Sequence, residues 1–135
     1  MDLHKLIKPA NGWKVPIWET LLDGSCRPSW HVHYRDWDKL KTAIFEMDNK
    51  HRHTFVDLGA NFGLISVVAK QFFKRVIAVE PHPVTAECLR CNMEQETNGM
   101  GSGTYQVIEA AAGQKKDVIE LYTPADPKTS GYTST

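Results

Sequence analysis

The hydrophobic positions change period through the middle of the chain. Thr54-Phe55-Val56-Asp57-Leu58 is a short apolar run, Gly59 and Gly63 interrupt it, and Leu64, Val67, Val68, Gln71 and Phe72 then recur at helical spacing. A second apolar run, Arg75-Val76-Ile77-Ala78-Val79, ends on Glu80. This order predicts a strand, a tight turn, a helix from Phe62 or Gly63 to Phe73, a second strand and an acidic tip. It is a βαβ unit of a parallel sheet, of the kind that holds a nucleoside-like cofactor.

The pattern extends in both directions. Upstream, Trp37, Leu40, Ile44 and Met47 form one apolar stripe of a helix that Asp36 or Asp38 can cap and that ends near Asp48-Asn49-Lys50. Trp30, Val32 and Tyr34 alternate with His31 and His33, as in a short strand. Val15 to Leu22 reads equally as an extended arm or a short helix. Downstream, Pro83 opens a second helix running to Asn92 or Glu96, with Val84, Cys88, Cys91 and Leu89 on its core face. After the glycine-rich loop Asn98 to Gly103, a third strand is expected over Tyr105 to Ala110. Val118 to Tyr122 alternates enough for one more, as a hairpin partner. Three segments follow: an accessory segment over 1–50, a βαβαβ core over 51–123, and a polar tail over 124–135.

Composition narrows the function classes. The chain has 135 residues, enough for one domain, and its 16 basic and 16 acidic side chains give a formal net charge of +0. That balance supplies no broad pull toward nucleic acid or an anionic membrane. Three cysteines, Cys26, Cys88 and Cys91, are too few and too odd in number for a disulfide framework. With no apolar leader and no run of membrane-spanning length, the expected compartment is the cytoplasm. All four tryptophans, Trp13, Trp18, Trp30 and Trp37, precede residue 40, as packing residues or as an aromatic wall beside a substrate. The pairs His31-x-His33 and His51-x-His53 suit zinc by type, but no carboxylate or cysteine stands at a matching ligand spacing, so no metal site is expected.

The turn carries the candidate chemistry. Gly59 and Gly63 let the backbone approach a ligand with no Cβ in the way. Asp57, just before the turn, can accept a hydrogen bond or pair with a cationic ligand group, and Asn61 can orient the loop or bind. Glu80, at the tip of the second strand, is placed to accept hydrogen bonds from both ribose hydroxyls of an adenosine. Glu109 and Ala110, at the tip of the third strand, offer a further contact. The dinucleotide fingerprint G-x-G-x-x-G is absent, its place taken by D-x-G-x-x-x-G, and there is no phosphate loop ending in G-K-[ST]. A carboxylate beside a pyrophosphate is repulsive, whereas beside a sulfonium and an amino group it is favourable. The balance favours S-adenosylmethionine over NAD or ATP.

Three stretches carry a resemblance: Phe55-Val56-Asp57-Leu58-Gly59-Ala60-Asn61-Phe62-Gly63, Val76-Ile77-Ala78-Val79-Glu80-Pro81-His82-Pro83, and Val107-Ile108-Glu109-Ala110-Ala111-Ala112-Gly113. Over residues 54 to 123 the chain resembles the class I S-adenosylmethionine-dependent methyltransferases, and more narrowly the FkbM type. The resemblance implies a Rossmann-like, doubly wound parallel sheet. It implies that Asp57, Gly59, Ala60, Asn61 and Gly63 hold the methionine and ribose side of the cofactor. Glu80 then matches the acid that binds the ribose hydroxyls, Pro81 and His82 flank the adenine, and Glu109 and Ala110 lie near its amine. It implies methyl transfer, as O-methylation of a small-molecule or saccharide hydroxyl.

The family sheet has the strand order 3-2-1-4-5-7-6, and this chain supplies strands one to three. Its acceptor-side segments have no counterpart here. The expectation is therefore a core truncated after the third strand, whose first strand has an open edge. Three explanations follow: the chain is a fragment, which is the favoured one, a segment such as Trp30 to Tyr34 covers the edge, or another copy or a complementing chain does. The alternative function is a non-catalytic cofactor-binding or interaction domain left from a methyltransferase. The general base is not identified; His31, His33 and His82 are candidates by type alone.

Overall fold

The computed structural model describes residues 14–16, 39–94 and 103–122 of the chain. A helix, α1, covers 39–46, and a 3-10 turn covers Asn49–His51. Strand β1 (Thr54–Leu58), helix α2 (Leu64–Ala69), strand β2 (Arg75–Val79), helix α3 (Pro83–Glu94) and strand β3 (Thr104–Ile108) follow. The strands form a small open sheet in the order β1-β2-β3, both pairings parallel. Phe55, Val76 and Tyr105 stand in one register row, and Asp57, Ala78 and Val107 in another.

These two rows face the helices. Val76 and Ala78 are fully buried against a cluster that includes Ile44 of α1, Val67, Val68 and Ala69 of α2, and Leu89 and Met93 of α3. Phe55, Tyr105 and Val107 pack against it as well. The apolar run of β2 thus reads as the middle strand of a parallel sheet, and the alternating β1 and β3 as its flanks. The opposite face carries Val56, Leu58 and Ile108, all exposed. The second layer of helices that a doubly wound sheet carries is not among the described residues, nor is any strand beside the outer edge of β1.

Each element begins and ends for a local reason. The α1 stripe holds: Ile44 is buried, Leu40 and Met47 pack on the core, and Arg52 donates from Nη2 to the Met47 carbonyl just past the helix end. Helix α2 stops at Ala69, before the expected Phe73. Gln71 and Phe72 donate to the carbonyls three residues back, which tightens the chain into a reversal. Buried Phe73 then packs on Phe55 with ring centroids 5.1 Å apart. Lys70 donates to the Met93 carbonyl in the last turn of α3 (2.7 Å), satisfying an orphan acceptor there. Gly103 enters β3 where a Cβ would strike the Phe73 carbonyl oxygen, so only glycine passes.

Several expectations change. On α3, Leu89 is buried and Cys88 packs half-buried on the core as expected, whereas Val84 is exposed and Thr85, Ala86, Asn92 and Met93 are buried as well; Cys91 is half-buried, and both cysteines are free thiols. Val118 to Tyr122 is not a strand: it pairs with neither outer edge of the sheet, and Val118 is 93% exposed. His51 lies in the 3-10 turn and His53 before β1, both exposed, so they do not share a strand face. Trp13, Trp18, Trp30, Trp37, Cys26, His31, His33 and the expected 30–34 strand lie outside the described residues, as does the 124–135 tail. No helix among the described residues is long and apolar enough to cross a membrane.

Candidate functional site

The register of the sheet builds one row of candidate residues. Leu58, Val79 and Ile108 are aligned at the strand ends, so the residues that follow them, Gly59, Glu80 and Glu109, are next-door neighbours at the sheet tip. The ladder continues through their backbone. Gly59 N–H donates to the Val79 carbonyl (2.9 Å) and Glu80 N–H to the Ile108 carbonyl (3.0 Å). Sequence spacing predicted this meeting, and the parallel register delivers it.

The turn between β1 and α2 is wound through left-handed backbone. Gly59 has φ 79°, Asn61 φ 53° and Gly63 φ 101°. Asparagine is among the few side chains that tolerate this region, and glycine enters it at no steric cost. A Cβ on Gly63 would stand 2.8 Å from Leu89 Cδ1, so this glycine also brings the turn against α3. A Cβ on Gly59 would meet nothing within 4 Å, so the space over that residue is open.

Four N–H groups of the turn have acceptors. Ala60 N–H joins Gly59 on the Val79 carbonyl (3.0 Å), Gly63 N–H goes to the Ala60 carbonyl (3.0 Å), and Asn61 N–H goes to Glu80 Oε2 (2.9 Å). Glu80 is 8% exposed, and its other oxygen, Oε1, accepts from His82 N–H (3.0 Å). One carboxylate therefore clasps the turn after β1 to the loop after β2. Each of its oxygens has a second acceptor site for a ligand hydroxyl.

The remaining predicted residues divide. Asp57 sits on the helix-covered face, where Oδ2 accepts from the hydroxyl of fully buried Ser66 in α2 (2.6 Å). Burial raises its carboxyl above the ordinary value of 3.8, with the Ser66 hydrogen bond opposing. Its observed partner is thus a helix hydroxyl, the hydrogen-bonding one of the two roles that the sequence suggested. Ala60 is buried beneath the turn, Pro81 is half-buried and His82 is buried. Glu109 is tied to α3 through Arg90, which donates to its Oε2 and to Glu87 Oε2 (3.1 Å each), and these two hydrogen bonds raise the guanidinium pKa further. Ala110 is exposed, its N–H on the Ile108 carbonyl (3.1 Å). Among the described residues no cluster of three or more His, Cys, Asp or Glu side chains could hold a metal ion.

Two residues of this region escaped the sequence reading. Ser66 is the partner of Asp57, and Asn92 holds the Phe62 carbonyl of the turn through Nδ2 (2.7 Å). The legible signal for Asn92 was a polar residue in a row with Thr85, Ala86, Leu89 and Met93, where only a satisfied amide is tolerated. Comparison with protein-family models, curated proteins and solved structures finds no match to this chain.

Proposed function

We propose that this chain binds S-adenosylmethionine at the tip of its sheet and is the cofactor half of a Rossmann-like methyltransferase core. The observation that carries the reading is Glu80. It is a buried carboxylate at the tip of the middle strand, next to an open glycine turn, and it has acceptor capacity left after two backbone bonds. Two carboxylates beside the turn, Asp57 and Glu80, weigh against a pyrophosphate and so against NAD or ATP. Gly59 gives the ligand room to approach, Glu80 accepts its vicinal hydroxyls, and buried His82 with Pro81 borders its base. When bound, the cofactor supplies an electrophilic methyl group. A small-molecule or saccharide hydroxyl, aligned in the part of the enzyme beyond this core, is the proposed acceptor. Among the described residues no strand pairs with the outer edge of β1, which leaves that part, a segment such as 30–34, or a complementing chain or second copy a place to pair.

A non-catalytic binding domain is the second reading. It is favoured by the position of His82, a candidate base by type, whose side chain is buried in the loop at 6% exposure. Calorimetry with S-adenosylmethionine and with NAD, on wild type, Glu80→Ala and Glu80→Gln, tests the cofactor. Binding of S-adenosylmethionine alone, weakened about tenfold or more in both variants, is expected. Binding of NAD alone overturns the reading. Methyl transfer over a panel of hydroxyl acceptors then separates the enzyme from the binding domain.

A further inference from the structure

Asn92 makes three hydrogen bonds at 1% exposure. Its Oδ1 accepts from Lys14 N–H (2.7 Å), and its Nδ2 donates to the Lys14 carbonyl (2.7 Å) and to the Phe62 carbonyl (2.7 Å). Both backbone groups of Lys14 are thus satisfied by one side chain, as a neighbouring strand would satisfy them. The same amide reaches the middle of the glycine turn. Val15 packs on the core, and Pro16 is fully buried. The turn is consequently held at two consecutive residues by buried side chains from other elements: Asn61 by Glu80 and Phe62 by Asn92.

We propose that Asn92 is a positioning residue that couples residues 14–16 to the Gly59–Gly63 turn, so that the arm helps to hold the backbone of the candidate ligand site in place. Three hydrogen bonds exceed what a helix needs from one buried amide, and none of them is made within α3. The two Nδ2 protons go to elements far apart in sequence, so releasing the arm leaves Asn92 under-satisfied and frees it to leave Phe62. The left-handed residues Asn61 and Gly63 on either side of Phe62 have little intrinsic preference for this path, and the turn depends on such external anchors. Arm and turn therefore order as one unit. The role at the ligand rests on the S-adenosylmethionine reading, whereas the coupling itself does not.

Amide hydrogen exchange on the full chain, without ligand, tests the coupling. Asn92→Asp keeps an acceptor for Lys14 N–H but sets a carboxylate against two carbonyls. Exchange at Lys14, Asn61 and Gly63 should speed up about tenfold or more, while Val76 and Ala78 in β2 keep their rates. The decisive variant is Pro16→Ala, which leaves Asn92 and every residue of the turn unchanged. Faster exchange at Asn61 and Gly63 in that variant is expected, and a change confined to residues 14–16 overturns the coupling. With S-adenosylmethionine, slower exchange at Lys14 in wild type and about fivefold weaker binding by Pro16→Ala are expected. Wild-type protein that takes up no S-adenosylmethionine removes the ligand role, and the ligand-free exchange then decides the arm–turn coupling by itself.

Discussion

Leu89, on the helix-covered side and against the glycine turn, is 0% exposed, whereas Leu58, at the end of β1 on the bare side, is 64% exposed. The same side chain thus has two different jobs. On the covered side three polar side chains near the turn are partnered: Asp57 by Ser66, Glu80 by two N–H groups, and Asn92 by three bonds. On the bare side, Val56, Leu58 and Ile108 lie exposed in neighbouring rows. Order at the candidate site therefore comes from one face of the sheet. The other face is apolar surface whose burial needs something beyond the described residues.

The sharpest way to break this contrast is to shorten both leucines. Leu89→Ala should cost about 2–5 kcal/mol, because it opens a cavity under the turn. Urea denaturation reads this directly, and a loss no larger than that of Leu58→Ala would erase the contrast. Gly63→Ala comes next, at about 1–3 kcal/mol, from a Cβ in left-handed backbone pressed on Leu89. Pairing it with Leu89→Ala should recover part of the loss, since the clash is with that side chain.

Asp57 gives a smaller, pH-dependent effect. Its carboxyl is raised in the folded state, so the folded protein holds the proton more tightly than the unfolded chain does. Stability from this group is present below 3.8 and is lost as pH rises through the higher folded value. Asp57→Asn keeps an acceptor for Ser66 and removes the titration. Thermal melts across the acidic range should show its stability relative to wild type rising with pH, and parallel curves would contradict the burial argument. Leu58→Ala should be smallest, within about 0.5 kcal/mol. A larger loss would mean that the bare face is covered in solution, and sedimentation of Leu58→Lys would then show whether a second copy covers it.

The boundaries of β1 and β2 were readable because short apolar runs bounded by turn residues have few other uses. The row Gly59, Glu80, Glu109 was also readable, since parallel strands bring the residues after their ends together. Hidden from the sequence were the early stop of α2, set by the reversal that seats Phe73 on Phe55, and the exposure of Val118, which alternation alone could not foretell. Asp57 illustrates the limit for sites. Its residue type fitted a hydrogen bond, but only the packing of β1 against α2 names Ser66 as the donor.

The sequence by itself determined the local grammar: glycines where the backbone turns left-handed, a proline at the start of α3, and apolar periods that separate strands from helices. Those features act over a few residues and need no knowledge of the rest. Only the tertiary structure decided which oxygen each buried donor reaches. Glu80 meets Asn61, and Asn92 meets both Lys14 and Phe62, across separations of up to 78 residues that no local pattern encodes. Pairing of buried polar groups is settled by packing, because a donor shut away from water takes whichever acceptor the packed elements set beside it.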